Sequence, residues 1–291
     1  MEEAGIGNPF PPASFHKKIK GVDLMANKHI HFIGGGQMSE AMIRAILTNE
    51  TVNNSEVTVT DIVESRNIYL AETYHIETGQ DQSDFLSKAD IIVIGVRPQD
   101  DLAQVSKIIQ QNSKPEAVIV SIVAGVTLEK FSEYLGKDRA IVRVIPNTLT
   151  DTGLGYSGVA LNEHATQEQV DFFINGFGKV MYVEETLIDI FTGFGVAGPN
   201  YVYYFIESLA DAGVLAGLPR EQAWQVTLEN LVGAVEMLKQ TGKHPRQLLD
   251  INNSAGGVGI NALHELNNSD FAAGLQRSVL KAVQRTTELG E

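Results

Sequence analysis

Cysteine is missing from the 291 residues of this chain. Its absence excludes disulfide bonds, thiolate zinc centres, iron–sulfur clusters and a thiol nucleophile. The seven histidines are scattered, and none forms a pair with the spacing of metal ligands, so we predict no metal site. A chain without cysteine is most simply cytoplasmic, and we expect that compartment.

Positive charge is also scarce, since 22 Lys and Arg stand against 36 Asp and Glu, for a net charge of −14. Such a surface repels phosphate backbones and anionic lipid, so we expect no nucleic-acid partner and no membrane binding. The net charge does not exclude a local site that binds a small anion. The most apolar stretch, residues 201–218, is interrupted by Glu207 and Asp211 and is interpreted as a buried helix.

Residues 1–26 lack a basic start followed by an apolar run, which a signal peptide requires. We expect a loose N-terminal extension there, with Met25 as an alternative start.

From Lys28 to about Val183, short apolar runs alternate with amphipathic segments. This alternation predicts an α/β first domain over residues 27–184, a doubly wound (Rossmann-type) parallel sheet. The predicted strands cover residues 29–33, 56–61, 91–96, 118–123, 141–145, 158–161 and 180–183, and the predicted helices cover residues 39–47, 65–74, 83–88, 102–110, 127–134 and 166–177.

After Glu184 the apolar spacing is helical to the end, which predicts an all-α domain over residues 185–291. Several of its helices carry apolar residues on more than one face, such as Leu209 and Leu215 beside Tyr204. A small bundle buries less than that, so we expect a homodimer or a larger homo-oligomer through this half. The predicted helices cover residues 186–191, 199–216, 220–241, 245–252, 254–266 and 271–289.

The first predicted strand runs directly into the turn Gly34-Gly35-Gly36-Gln37-Met38-Ser39, and a helix follows. In a dinucleotide fingerprint such glycines permit a tight turn and let the backbone approach the pyrophosphate, and here Ser39 replaces the third glycine. We therefore predict Gly34, Gly36, Gln37 and Met38 as cofactor-binding residues of a dinucleotide-binding domain. The alternative is a glycine-rich turn without a ligand.

Polar and loop-forming residues end the next predicted strands, where doubly wound sheets bind ligands. Asp61 is placed to accept hydrogen bonds from an adenosine ribose, which favours NADH over NADPH. Arg66 with Thr60 and Ser65 offers an alternative site for a 2′-phosphate. The further predicted cofactor contacts are Val96, Arg97, Pro98, Ala124 and Gly125. A solvated Asp61 and a surface Arg97 are the alternatives.

The stretch Val142-Arg143-Val144-Ile145-Pro146-Asn147-Thr148 resembles the pyrroline-5-carboxylate reductases, and the resemblance covers nearly the whole chain after Met25. The family resemblance implies a dinucleotide domain, a helical substrate domain that interlocks two subunits, and hydride transfer from NADH or NADPH to 1-pyrroline-5-carboxylate in the last step of proline biosynthesis. It also adds Asn147 to the cofactor contacts. The other matching stretches are Val96-Arg97-Pro98, Gly198-Pro199 with Tyr201, residues 209–214, 217–220 and 241–245, and Gly256-Gly257.

The resemblance further implies that backbone amides of a turn before a helix hold the substrate carboxylate, and the matching residues are Ser254, Gly256, Gly257, Val258 and Gly259. The chain departs from the family here, because Gly259 stands where relatives have a threonine near the imine nitrogen. Upstream, Ala197 and Asn200 replace a serine and an alanine. Asn200 and Ser254 are the candidates for substrate contact, and no catalytic residue is assigned.

Three alternatives stay open. The departures at Gly259 and Ala197 favour either a reductase of a different cyclic imine acid or a non-catalytic, dinucleotide-binding regulatory homologue. A β-hydroxyacid dehydrogenase also joins a dinucleotide domain to a helical one, but it needs a lysine soon after the junction. No lysine occurs between Glu184 and Glu236.

Overall fold

The computed structural model describes residues 28–290, so the expected extension over residues 1–26 lies outside the described residues. The chain divides into two compact units between Val183 and Glu184. The first unit is α/β and the second is helical, which confirms the predicted fold class.

Short runs that are mostly rich in valine and isoleucine form the strands of the first unit. The strands are β1 (Ile30–Ile33), β2 (Val57–Thr60), β3 (Glu77–Gly79), β4 (Ile91–Ile94), β5 (Val118–Ser121), β6 (Ile141–Ile145), β7 (Tyr156–Leu161) and β8 (Lys179–Tyr182). Within residues 28–290 they form one eight-stranded sheet in the order β3-β2-β1-β4-β5-β6-β7-β8. The chain moves outward in opposite directions from β1 and β4, so a crevice opens at the carboxyl ends of these two strands.

Helices connect most of these strands. They are α1 (Gln37–Thr48), α2 (Glu64–Tyr74), α3 (Ser83–Lys88), α4 (Leu102–Asn112), α5 (Leu128–Leu135) and α6 (Gln167–Ile174). Every residue of β1, β4, β5 and β6 is buried, as is typical of parallel strands covered by helices on both faces. Asp101 and Thr127 begin α4 and α5 as caps, accepting hydrogen bonds from the backbone amides of Gln104 and Lys130.

Two features of the sheet differ from the sequence-based expectation. β3 is not predicted, because its residues Glu-Thr-Gly lie at the sheet edge and none of them is buried. β7 pairs antiparallel with β6, and β8 pairs parallel with β7. Only a short 3₁₀ turn, Thr148–Thr152, lies between β6 and β7, instead of the long crossover that a parallel pair requires.

The second unit consists of helices, and no strand occurs in its described part, residues 184–290. The α-helices are α7 (Ile188–Phe191), α8 (Gly198–Leu215), α9 (Arg220–Thr241), α10 (Pro245–Asn252), α11 (Val258–Asn268) and α12 (Phe271–Gly290). The helix expected from residue 254 begins at Val258 instead, because a turn with Gly256 at φ 67° precedes it. A π-helical segment, Thr192–Val196, precedes α8. Among the described residues, no helix combines the length and apolarity needed to cross a membrane.

Candidate cofactor and substrate sites

The glycine-rich turn lies at the carboxyl end of β1, in the crevice beside β4. Gly34 has φ 96°, and a Cβ there would lie 2.7 Å from the carbonyl oxygen of Gly95, so the position requires glycine. Gly36 is exposed, and in the described structure no atom beyond its chain neighbours lies within 4 Å of where its Cβ would be. Within residues 28–290, no side chain caps α1, which follows Gly36. The first-turn amides of α1 are therefore open to an anion.

Ser39 fits α1 closely against the end of β4. Its side chain is buried, and a Cβ added at Gly95 would lie 2.3 Å from the Ser39 hydroxyl oxygen. A serine on the helix and a glycine directly after the strand thus allow the close approach that the third fingerprint glycine gives in other dinucleotide sites.

Asp61 follows β2 and ties the glycine-rich turn to the start of α2. Its Oδ2 accepts a hydrogen bond from the Gly35 amide at 2.8 Å, and its Oδ1 accepts one from the Val63 amide at 2.9 Å. The Asn67 side chain donates to the Asp61 carbonyl oxygen at 2.8 Å and fixes the backbone. The carboxylate thereby borders a pocket of about 460 Å³, which is lined by Gly35, Gly36, Asp61, Val63, Ser65, Arg66 and Tyr69.

The guanidinium of Arg66 forms hydrogen bonds within the wall of this pocket. Its Nε donates to the Gly35 carbonyl oxygen, and its Nη2 donates to Glu40, which lies in the first turn of α1. Glu40 is buried and also accepts hydrogen bonds from the hydroxyls of Tyr69 at 3.1 Å and Tyr74 at 2.7 Å. Burial alone raises the pKa of Glu40, but the hydrogen bonds from Tyr74 and Arg66 outweigh it and hold the pKa below its usual value. Glu40 is therefore ionised at neutral pH.

The other predicted cofactor residues follow β4, β5 and β6, whose carboxyl ends share one edge of the sheet with β1. The Arg97 side chain is 77% exposed and pairs with Asp100 at 2.9 Å. Asn147 is buried, and its Oδ1 accepts hydrogen bonds from the amides of Leu149 and Tyr156. These two hydrogen bonds stabilise the loop between β6 and β7, in which Asn147 lies. The residues that the topology places along this edge are Gly34, Val96, Arg97, Pro98, Ala124, Gly125 and Asn147.

The predicted substrate turn lies between α10 and α11. The Gly257 amide donates to the Ser254 carbonyl oxygen at 3.0 Å, and Gly256 has φ 67°. Ser254 is exposed, and no side chain of the described part of the chain caps α11. A Cβ at Gly259 would lie 2.3 Å from Asn253 Oδ1, so the Asn253 carboxamide fills the space where a side chain of residue 259 would begin. The Asn253 Nδ2 donates to the Leu249 carbonyl oxygen at 2.8 Å.

Asn200 lies exposed in the first turn of α8, directly after the π-helical segment. Tyr201 beside it donates to the carbonyl oxygen of Gly193 at 2.8 Å. Gly193 in turn packs against α12, where a Cβ would lie 2.5 Å from a Val283 methyl carbon. The backbone hydrogen bonds of Asn200 and of Ser254 are each made within three residues along the chain, to Ala197 and from Gly257, and among the described residues no hydrogen bond links the two candidates.

Sequence analysis misses Glu40 and Asn253 as site residues. A signal for Glu40 exists, because an acidic residue on the otherwise apolar buried face of α1 requires a partner. Asn253 has no such signal, since only the conformation of the turn brings it to Gly259.

Within residues 28–290, no group of three or more His, Cys, Asp or Glu is arranged to hold a metal ion.

The sheet order, the open glycine-rich turn at the crevice and the helical second unit define the chain as a two-unit protein of the Rossmann class. Residues 29–125 match the family model "NADP oxidoreductase coenzyme F420-dependent", and residues 185–289 match "Pyrroline-5-carboxylate reductase dimerisation". The chain belongs to the pyrroline-5-carboxylate reductase family.

Relatives and solved structures support this membership. The pyrroline-5-carboxylate reductase of Glycine max is 35% identical over 89% of this chain and 94% of its own, and that of Escherichia coli is 31% identical over 91% and 99%. The crystal structure of Plasmodium falciparum pyrroline carboxylate reductase with NADP bound has a TM-score of 0.81 at 28% identity, covering 91% of this chain and 99% of that one.

Proposed function

We propose that this protein reduces the C=N bond of 1-pyrroline-5-carboxylate to L-proline with a nicotinamide dinucleotide. The proposal depends on one combination of features. The chain has an open glycine-rich turn before α1 and a turn that contains Ser and Gly before α11. The same chain is 31–35% identical to named reductases over about nine-tenths of its length. We assign the dinucleotide to residues 27–184 and the substrate and dimer contacts to residues 185–291.

The residues around the crevice fit a dinucleotide. The exposed Gly36 and the uncapped start of α1 offer the amides of Gln37 and Met38 to a pyrophosphate. Asp61 would accept hydrogen bonds from the adenosine ribose and repel a 2′-phosphate, so we expect NADH to be preferred to NADPH. When bound, the reduced nicotinamide supplies a hydride. The NADP in the Plasmodium falciparum relative supports a cofactor of this class.

The turn over residues 254–257 suits a carboxylate. The first-turn amides of α11, those of Val258 and Gly259 among them, have no partner within the helix, and the helix dipole favours an anion there. The Ser254 hydroxyl adds a further donor in the same turn, and Asn200 is the second candidate for contact with the imine acid. A protonated imine is already electrophilic, so the chain needs mainly to hold the carboxylate and place the imine carbon. The hydride and the iminium together give the secondary amine, and no further proton is required.

The exposed apolar surface of the helical unit supports a homodimer. Only Pro199 and Ala210 of the 18-residue helix α8 are buried, whereas Tyr204 is 75% exposed and Leu215 is 88% exposed. Apolar surface of this kind marks an interaction site in a monomeric fold. The match of residues 185–289 to the dimerisation model supports a second copy of this chain as the partner.

A different cyclic imine acid is the second candidate substrate. The observation that favours it is Gly259, which carries no hydroxyl and leaves its side-chain space to the Asn253 carboxamide. A carboxamide oxygen accepts hydrogen bonds but does not donate them, so the polar environment differs from that of a threonine.

The test is nicotinamide absorbance at fixed protein concentration with 1-pyrroline-5-carboxylate, 1-pyrroline-2-carboxylate or a six-membered imine acid, each with NADH and with NADPH. We expect the fastest oxidation with 1-pyrroline-5-carboxylate. Faster turnover of another imine would move the function away from proline formation. Dinucleotide binding without turnover of any imine would favour a non-catalytic homologue.

A further inference from the structure

Glu40 and Arg66 form an ion pair beneath the glycine-rich turn. The Glu40 side chain is 6% exposed and the Arg66 side chain is 20% exposed, so water screens the pair only weakly. An arginine binds a phosphate best through the edge that carries Nε and one Nη, which forms two parallel hydrogen bonds. In this chain the Nε and Nη2 of Arg66 are already bonded to Gly35 and Glu40.

Tyr69 restrains the same guanidinium from one face. The Arg66 Cζ lies 5.1 Å from the centroid of the Tyr69 ring, and the Tyr69 hydroxyl donates to Glu40 Oε1 at 3.1 Å. One carboxylate therefore holds both the arginine and the ring that covers it. A 2′-phosphate could bind the Nε edge of Arg66 only by replacing both acceptors, the Gly35 carbonyl oxygen and the Glu40 carboxylate.

Asp61 carries a negative charge in the wall of the same pocket, opposite in sign to that of Arg66. Its carboxylate accepts two backbone N–H bonds, and the structure shows it in no ion pair among the described residues. Arg66 is paired with Glu40, which also pairs with Arg44 at 3.3 Å, and no ion pair among the described residues offsets the charge of Asp61 at the pocket. A ribose 2′-hydroxyl can donate to Asp61, whereas a 2′-phosphate is repelled by it.

We propose that Glu40 is a specificity-determining residue, which holds Arg66 inward and thereby makes the protein bind NAD(H) in preference to NADP(H). This inference rests on the proposed dinucleotide site. Glu40 acts through Arg66 as a positioning residue, because in the described structure Arg66 lines the pocket and Glu40 does not.

The test is calorimetric titration of the full-length protein with NAD⁺ and with NADP⁺, which needs no imine substrate. The wild type should bind NAD⁺ more tightly. Glu40→Gln should shift the ratio of the two dissociation constants about tenfold toward NADP⁺, because Arg66 loses its carboxylate partner and its positive charge becomes available to the 2′-phosphate. The double variant Glu40→Gln with Arg66→Met should return the ratio to that of the wild type. Glu72→Gln, an exposed residue of α2 with the same charge change, is the matched control and should leave the ratio unchanged.

A wild type that binds NADP⁺ more tightly, or an unchanged ratio in folded Glu40→Gln, would overturn the inference. If Glu40→Gln does not fold, Arg66→Met decides, because it should leave the ratio within about twofold of the wild type. A selective loss of NADP⁺ binding in Arg66→Met would make Arg66 the phosphate ligand and refute the role of Glu40. Failure of the wild type to bind either dinucleotide would instead refute the proposed function.

Discussion

His31 is a buried titratable side chain at the centre of the sheet. It is fully buried in β1, where its ring bonds to the hydroxyl of Thr58 at 2.8 Å and lies 5.5 Å from the ring of Phe85. Burial disfavours the charged imidazolium and lowers the pKa of His31 from 6.5 to about 4, despite hydrogen bonds that act in the opposite direction. The folded protein therefore carries a neutral His31 at neutral pH.

The pKa of His31 predicts that acid destabilises the first unit. Between pH 6.5 and about 4 the unfolded chain binds a proton that the folded chain does not, so the free energy of unfolding decreases as the pH falls through that window. The loss from His31 alone is about 3 kcal/mol, and the full contribution is present above pH 6.5. Urea unfolding from pH 7 to pH 4 should show this loss in the wild type relative to His31→Gln. His75→Asn, a change of an exposed histidine, should follow the wild type, and equal slopes in all three proteins would contradict the account.

Gly259 and Asn253 should behave as a pair. Gly259→Thr alone places a Cβ 2.3 Å from Asn253 Oδ1, so the Asn253 side chain must move. We expect little or no gain in kcat/KM for 1-pyrroline-5-carboxylate from this single change. Gly259→Thr combined with Asn253→Ser removes the clash and restores a hydroxyl, and should raise kcat/KM about tenfold. An equal effect of Gly259→Thr in both backgrounds would show that the two residues act independently.

At the scale of elements, the connection of β1 to α1 uses two glycines for different reasons. Gly34→Ala should lower the free energy of unfolding by about 1–3 kcal/mol, because it combines a positive φ with a close approach to the Gly95 carbonyl oxygen. Gly36→Ala should change stability by less than about 1 kcal/mol, since φ is −64° and the space is open.

Cofactor binding should show the reverse order of effects. The Cβ of Gly36→Ala would stand in the space proposed for the pyrophosphate, so this variant should fold normally and lose most of its dinucleotide affinity. Thermal unfolding and titration with NADH on the two variants check both statements. Full affinity in Gly36→Ala would place the pyrophosphate elsewhere.

How well an element is predicted from the sequence depends on whether its boundaries are local. The bounds of α9 (Arg220–Thr241) and α10 (Pro245–Asn252) are predicted to the residue, because Pro219, Gly242 and Pro245 mark their ends. The start of α11 is predicted four residues early, since the apolar spacing continues through a turn that depends on the backbone of Gly256. β3 carries no apolar run and pairs only at the sheet edge.

The candidate site divides in the same way. The turn from Gly34 to Met38 is readable because its signal lies within a few consecutive residues between a strand and a helix. The bond from Arg66 to Glu40 joins residues 26 positions apart and exists only once α2 packs near α1. Sequence reasoning therefore identifies Asp61 and Arg66 as competing charges, but it does not identify the residue that binds Arg66.

For the whole molecule, the exposed apolar surface of the helical unit predicts an oligomer that charge will disrupt. Tyr204→Glu combined with Leu215→Glu should lower the mass measured by light scattering to that of one chain, because both side chains are largely exposed on α8. Ile62→Glu is the matched control, since Ile62 is 91% exposed in the first unit. It should keep the oligomeric mass. A wild type that is monomeric at micromolar concentration would contradict the proposed dimer.

The central claim is that this chain transfers a hydride from a nicotinamide to the carbon of a cyclic imine. The most direct measurement uses NADH that carries deuterium at both C4 positions of the nicotinamide, with 1-pyrroline-5-carboxylate and the purified protein, and mass spectrometry of the proline formed. The account predicts L-proline with one deuterium at C5, in amounts equal to the NADH oxidised. NADH oxidation without deuterium in proline, or no proline at all, would contradict it.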